Sequence, residues 1–124
     1  MPEQAGGPAA STAGASRREE LLRIAADLFA TKGFRNTTVR DIADAAGILS
    51  GSLYHHFDSK ESMVDELMRT FQAELFAAYD EILASPDDAR SKLERAVRLS
   101  FETIERRGAE VAIFQNEAAT LGQL

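Results

Sequence analysis

Between Thr38 and Lys60 the sequence gathers the side chains best suited to hydrogen bonding at a surface. Ser50, Gly51 and Ser52 are small enough to let a backbone come close to a partner. Tyr54, His55 and His56 can each donate a hydrogen bond to a phosphate or a base edge. Thr38 and Arg40 stand upstream of this group, and Lys60 opens the helix after it, where its charge and the helix N-terminus can together hold a phosphate. The adjacent histidines raise the question of metal, but neighbours on a helix point about 100° apart, and no partner four residues away completes a ligand set. Cysteine is absent, which excludes disulfides, thiolate metal sites and thiol catalysis together. No nucleophile, base and orienting group recur at recognisable spacing, so neither enzyme, metal nor cofactor is expected.

The elements that must position these residues all read as helix. Ser16 with Glu19 three residues on forms a capping pattern, and Leu21, Ile24, Ala25, Leu28 and Phe29 follow at helical spacing until Gly33. Met1 to Ala15, rich in Ala, Gly and Ser, reads as a disordered tail with no features of a secretory signal. Thr38 and Asp41 repeat the capping pattern for a second helix, with Ile42, Ala45 and Ala46 on its apolar face and Gly47 at its end. A third short helix is expected from Ser50 to about His56. The fourth starts at Asp58 or Ser59, with Glu61 completing a capping box, and carries Val64, Leu67, Met68, Phe71, Leu75, Ile82 and Leu83. Ser85 to Asp88 breaks it, because proline disfavours a helical residue before it. Leu93, Val97, Phe101 and Ile104 mark a fifth helix, and Gly108 divides it from a sixth with Val111, Ile113, Phe114, Ala118 and Leu121.

Two short helices joined at Gly47 and Ile48, after a longer one, match the helix-turn-helix layout. Ala43 faces the second helix of the pair, where a larger side chain would push the two apart. The second helix of such a pair lies in the major groove with its N-terminal residues nearest the base edges. Simpler roles suit several of these residues equally: Thr38 as a helix cap, Arg40 paired with Asp44 one turn on, and Tyr54 half-buried.

Net charge is −6 over 124 residues, which argues against a polyanionic partner, but its distribution is uneven. Residues 16–61 hold seven basic and seven acidic side chains, whereas 62–124 hold seven basic and twelve acidic. An acidic body would turn the neutral head toward DNA. No apolar run approaches the roughly 18 residues of a membrane span, and the cytoplasm is the default compartment.

The runs FATKGF (29–34), TTVRDIA (37–43), AGI (46–48), SLYHHF (52–57) and SKE (59–61) resemble the signature of the TetR family of transcriptional regulators. The resemblance implies an all-α fold: a three-helix DNA-binding head over 16–61 and a partial helical bundle for ligand binding and dimerisation over 62–124. It implies that Thr38 and Arg40 contact phosphate, that Ser50, Gly51, Ser52 and His55 face the bases, and that Tyr54 and Lys60 clamp the backbone with His56 beside them. Leu53 and Phe57 would belong to the core that fixes the recognition helix. The partners implied are a double-stranded operator, a small-molecule effector and a second copy of the chain, with the fourth helix linking the two parts.

Phe71, Phe76, Tyr79, Phe101, Phe114 and Gln115 are candidates to line the effector pocket, although a bundle core or a solvated face accounts for each of them too. The stretches FETIERRG (101–108) and VAIFQNEA (111–118) are similar to actinobacterial TetR-type regulators of lipid or steroid-ring breakdown, which respond to acyl-CoA thioesters. Eleven Arg against three Lys suits a GC-rich genome. Members of the family usually continue through further helices that build the dimer interface, so pocket and interface are expected to be incomplete at Leu124.

Overall fold

Alanine, leucine and arginine favour helix before Gly33, and a long first helix follows from them. The computed structural model describes the backbone of residues 2–122 and the side chains of residues 17–116. Its elements are α1 (Pro2–Lys32), α2 (Val39–Ala46), α3 (Ser50–Tyr54), α4 (Lys60–Ala84), α5 (Ala89–Arg106) and α6 (Gly108–Gly122). Among the described residues there is no strand, and the fold is all-α.

The start of α1 differs from expectation. Helix runs from Pro2, so the stretch read as a disordered tail is helical and Ser16 is an interior residue rather than a cap. The side chain of Ser16 lies outside the described ones, as do those of Ala118 and Leu121 in α6.

The chain divides into two units, residues 1–64 and 65–124. In the first, Leu21, Ala25, Ala26, Phe29, Ile42, Ala43, Leu53, Phe57 and Met63 are buried. Withdrawing a Leu, Ile or Phe side chain from water contributes about 1.5–3 kcal/mol each, enough to hold three short elements together. α2 packs on α1 and on α3. Ala43, one of the buried residues, is the small side chain that this close crossing needs.

The second unit begins within α4 and includes α5 and α6, with Leu67, Met68, Phe71, Ile82 and Ile113 buried. Asp88 caps α5 by accepting from the Ser91 amide at 2.8 Å. The break before α6 falls at Arg107 rather than at Gly108, which is itself the first helical residue. The Arg107 guanidinium donates to Glu110 and to Glu74, both at 2.7 Å, and lies 5.3 Å from the Phe71 ring centroid. α5 has no buried residue. Leu93, Val97, Phe101 and Ile104, spaced as a core stripe would be, are between 47% and 69% exposed.

Candidate nucleic-acid interface

Three loops and caps aim the short helices of the first unit. After α1, Gly33 adopts φ 89°, a left-handed conformation that reverses the chain without a Cβ penalty. The loop that follows is held from inside by Thr37, fully buried, whose hydroxyl donates to the Gly33 carbonyl at 2.7 Å and approaches that of Leu28 at 3.3 Å. Thr38 then begins α2 with a complete capping box. Its hydroxyl accepts from the Asp41 amide at 3.0 Å, and the Asp41 carboxylate accepts from the Thr38 amide at 3.0 Å. Lys32 adds an ion pair to Asp41 at 2.8 Å. That charged hydrogen bond, followed by the one from the Thr38 backbone, lowers the Asp41 carboxyl to about 2.

Gly47 closes α2 in the left-handed region, with φ 72° and ψ 30°. Its amide donates to Asp44 at 3.1 Å and that of Ile48 to Ala43 at 3.0 Å, the paired bonds of a Schellman motif. No atom lies within 4 Å of where a Cβ on Gly47 would stand, so the dihedral and not crowding requires glycine. The turn delivers the chain into α3.

α3 is shorter than expected. It ends at Tyr54, and His55 and His56 occupy the turn beyond it, where the Leu53 carbonyl accepts from the amides of His56 and Phe57 at 3.0 and 3.1 Å. Leu53 and Phe57 are buried and anchor the segment, and the Arg18 guanidinium sits 4.5 Å from the Phe57 ring centroid. Gly51, Ser52, Tyr54, His55 and His56 are exposed, with Tyr54 at 53%, and Ser50 is partly so. An open groove is lined by Thr38, Arg40, Ser50, Tyr54 and Lys60, together with Val39, Ser59 and Glu61. Five of the nine residues singled out for DNA therefore share one surface feature. Arg40 is exposed and, among the described residues, does not form the ion pair with Asp44 that one-turn spacing allows.

Lys60 holds a position that sequence reasoning did not anticipate. Its ammonium donates to the carbonyls of Phe34 at 2.8 Å and Thr37 at 3.0 Å, and lies 4.3 Å from the Phe34 ring centroid. An ammonium has three donors, and these carbonyls take two of them. The cap of α4 also differs. The Ser62 amide donates to the Ser59 hydroxyl at 3.0 Å and the Ser59 amide to the Ser62 hydroxyl at 3.1 Å, whereas Glu61 was expected to complete this box. With Lys60 as the first helical residue, the third helical position falls on Ser62.

Missed in the sequence was Leu49, the N-cap residue of α3 and 80% exposed. The signal was there to find: a leucine at the position where α2 and α5 each place a polar cap.

Among the described residues, the six candidates for an effector pocket fall in different surroundings. A cleft in the second unit is lined by Phe71, Leu75, Ala78, Leu99, Thr103, Arg106 and Arg107, with Glu74 and Glu102. Of the six, only Phe71 is among them. Phe101 lies on the exposed stripe of α5, Phe76 and Phe114 are 61% and 44% exposed, and Gln115 is exposed. The Tyr79 hydroxyl is 2.5 Å from that of Ser100. Among the described residues no three His, Asp or Glu side chains cluster as a metal site needs, and no helix is long and apolar enough to cross a membrane.

A buried-core helix pair joined through a left-handed glycine, with an exposed polar second helix, is a helix-turn-helix. Residues 21–67 match the family described as bacterial regulatory proteins, tetR family. It is similar to the HTH-type transcriptional repressor KstR2 of Rhodococcus jostii, 62% identical over 115 residues, which are 92% of this chain and 56% of that protein. The protein of the same name from Mycolicibacterium smegmatis is 56% identical over 110 residues, covering 89% of this chain and 54% of that one. The solved structure of the ketosteroid transcriptional regulator KstR2 of Mycobacterium tuberculosis superposes with a TM-score of 0.81 at 56% identity, over 86% of this chain and 55% of that one. The chain thus spans about half the length of the curated relatives it matches.

Proposed function

We propose that this chain is the operator-reading part of a ligand-responsive transcriptional repressor. The observation that carries the reading is the convergence of Thr38, Arg40, Ser50, Tyr54 and Lys60 on one open groove beside a short helix whose remaining polar residues are exposed. In this reading α3 enters the major groove, Ser50, Gly51, Ser52 and His55 meet base edges, and Arg40, Tyr54 and Thr38 grip the phosphates. Lys60 offers its third donor to a phosphate while its other two brace the loop before α2.

A single short helix supplies few contacts, and specific affinities near 10⁻⁸ M usually need two half-sites, so the operating species is proposed to be a homodimer on a palindromic operator. The effector is proposed to be a small molecule of steroid-ring breakdown, carried as an acyl-CoA thioester. The steroid part of this reading is supported by the relative described as a ketosteroid transcriptional regulator, and the cleft around Phe71, lined also by Arg106, offers an apolar surface with a cation.

The test is a titration against the DNA upstream of the chain's own gene. Binding should weaken with salt by about 0.9 log units of affinity per log unit of salt for each phosphate neutralised. Tyr54→Ala should lose at least tenfold in affinity while melting within a few degrees of the parent, because the ring is half-exposed. Binding by Tyr54→Ala equal to that of the parent would remove this residue, and with it the groove, from the interface.

A further inference from the structure

The residue at the leading end of α3 carries no polar atom. Leu49 is the N-cap, with extended φ −79° and ψ 150°, and its side chain makes no capping hydrogen bond. Elsewhere this chain places polar residues at such positions: Thr38 caps α2 and Asp88 caps α5, each accepting from an amide three residues on. A serine or asparagine would serve the first turn of α3 better than leucine does. Nor does the leucine gain by burial, since four-fifths of it faces solvent. Single exposed apolar side chains are ordinary on protein surfaces. This one is set apart by its place, adjoining Ser50 and Gly51 at the end of the helix that would stand closest to base edges.

We infer that Leu49 is a specificity residue that packs against the C5-methyl group of a thymine in the major groove. The inference rests on the DNA-binding reading above and adds to it a contact of stated chemistry. The major groove displays donors, acceptors and one alkyl group, the thymine methyl. A leucine can recognise only the last of these. Its neighbours Ser50, Gly51 and Ser52 carry little that discriminates bases, so an apolar contact at the leading end supplies information that the small side chains cannot.

The test uses the full chain and duplexes enriched by it from a random-sequence library, with each thymine replaced in turn by deoxyuridine, which lacks only the methyl. At one position per half-site the replacement should weaken binding by the parent about fourfold, the worth of one methyl withdrawn from water. Leu49→Ala should bind the thymine duplex more weakly and show no further loss with deoxyuridine. Leu49→Ser restores a capping hydroxyl, so it should melt no lower than the parent and yet be equally blind to the methyl. A role confined to holding the helix predicts the opposite, a melting change with methyl sensitivity intact. The inference is overturned if the parent is indifferent to every replacement, or if Leu49→Ser remains as methyl-sensitive as the parent. Failure to enrich any duplex would instead remove the DNA-binding reading itself.

Discussion

Replacing Lys60 with alanine should unfasten the loop before α2 as well as weaken DNA binding, and the two losses can be separated. The ammonium makes two hydrogen bonds to backbone carbonyls, Phe34 at 2.8 Å and Thr37 at 3.0 Å, across 26 and 23 residues of chain. Hydrogen bonds involving a charged group contribute about 1.5–3 kcal/mol each where buried. At a part-buried site the lower end applies, giving about 2–3 kcal/mol for the pair. The Phe34 ring beneath the ammonium adds roughly 0.5–1 kcal/mol. For a unit of this size, 1 kcal/mol corresponds to about 4–8 °C in Tm, so Lys60→Ala should melt at least 10 °C below the parent. Lys60→Met, which keeps the apolar stem, should recover only a small part of that. Circular dichroism melts provide the stability measurement, and DNA titrations run well below both transitions measure the contact. A Lys60→Ala chain that melts within 2–3 °C of the parent would refute the bracing role, because a solvated surface lysine contributes no more than that.

Gly47→Ala should destabilise by about 1–2 kcal/mol through its positive φ alone, with Gly47→Asn losing clearly less; equal losses would show that space, not the dihedral, is limiting. Asp41 titrates at about 2 in the folded chain against 3.8 for an unperturbed group. Its stabilising effect is therefore fully present above pH 4 and is lost as pH falls from about 4 through about 2. Acid unfolding followed by fluorescence or circular dichroism should show a steeper decline over that window for the parent than for Asp41→Asn, and superimposable curves would contradict the assignment.

Local chemistry was readable in the residues. The Thr38 and Asp41 box, the stops at Gly33 and Gly47 and the break at Ser85 to Asp88 each depend on neighbours within a few positions. The buried positions of Leu21, Ala25 and Phe29 follow from period alone. What escaped was of two kinds. Lys60 bonds to carbonyls more than twenty residues away, and no local pattern encodes such a contact. A one-residue uncertainty in the start of α4 was also enough to move its box from Glu61 to Ser62. For α5, periodicity identified Leu93, Val97, Phe101 and Ile104 as sharing a face but could not say whether anything covers it. Thr38, Arg40, Ser50, Tyr54 and Lys60 share one groove because two adjacent short helices and the start of the next bring them there. The proposed effector residues are spread over three longer helices, and among the described residues only Phe71 lines the cleft of the second unit.

The Schellman turn at Gly47 has a consequence for how such a protein can change its target. The angle between α2 and α3 is secured by main-chain bonds and by the buried Leu53 and Phe57, none of which involves the hydroxyls of Ser50 and Ser52. Nothing lies within 4 Å of a Cβ at Gly51, so that position can accept a new side chain without disturbing its surroundings. If α3 reads an operator as proposed above, the hinge is inherited separately from the address it presents, and a new preference can be installed by exchanging a few letters that the scaffold does not use.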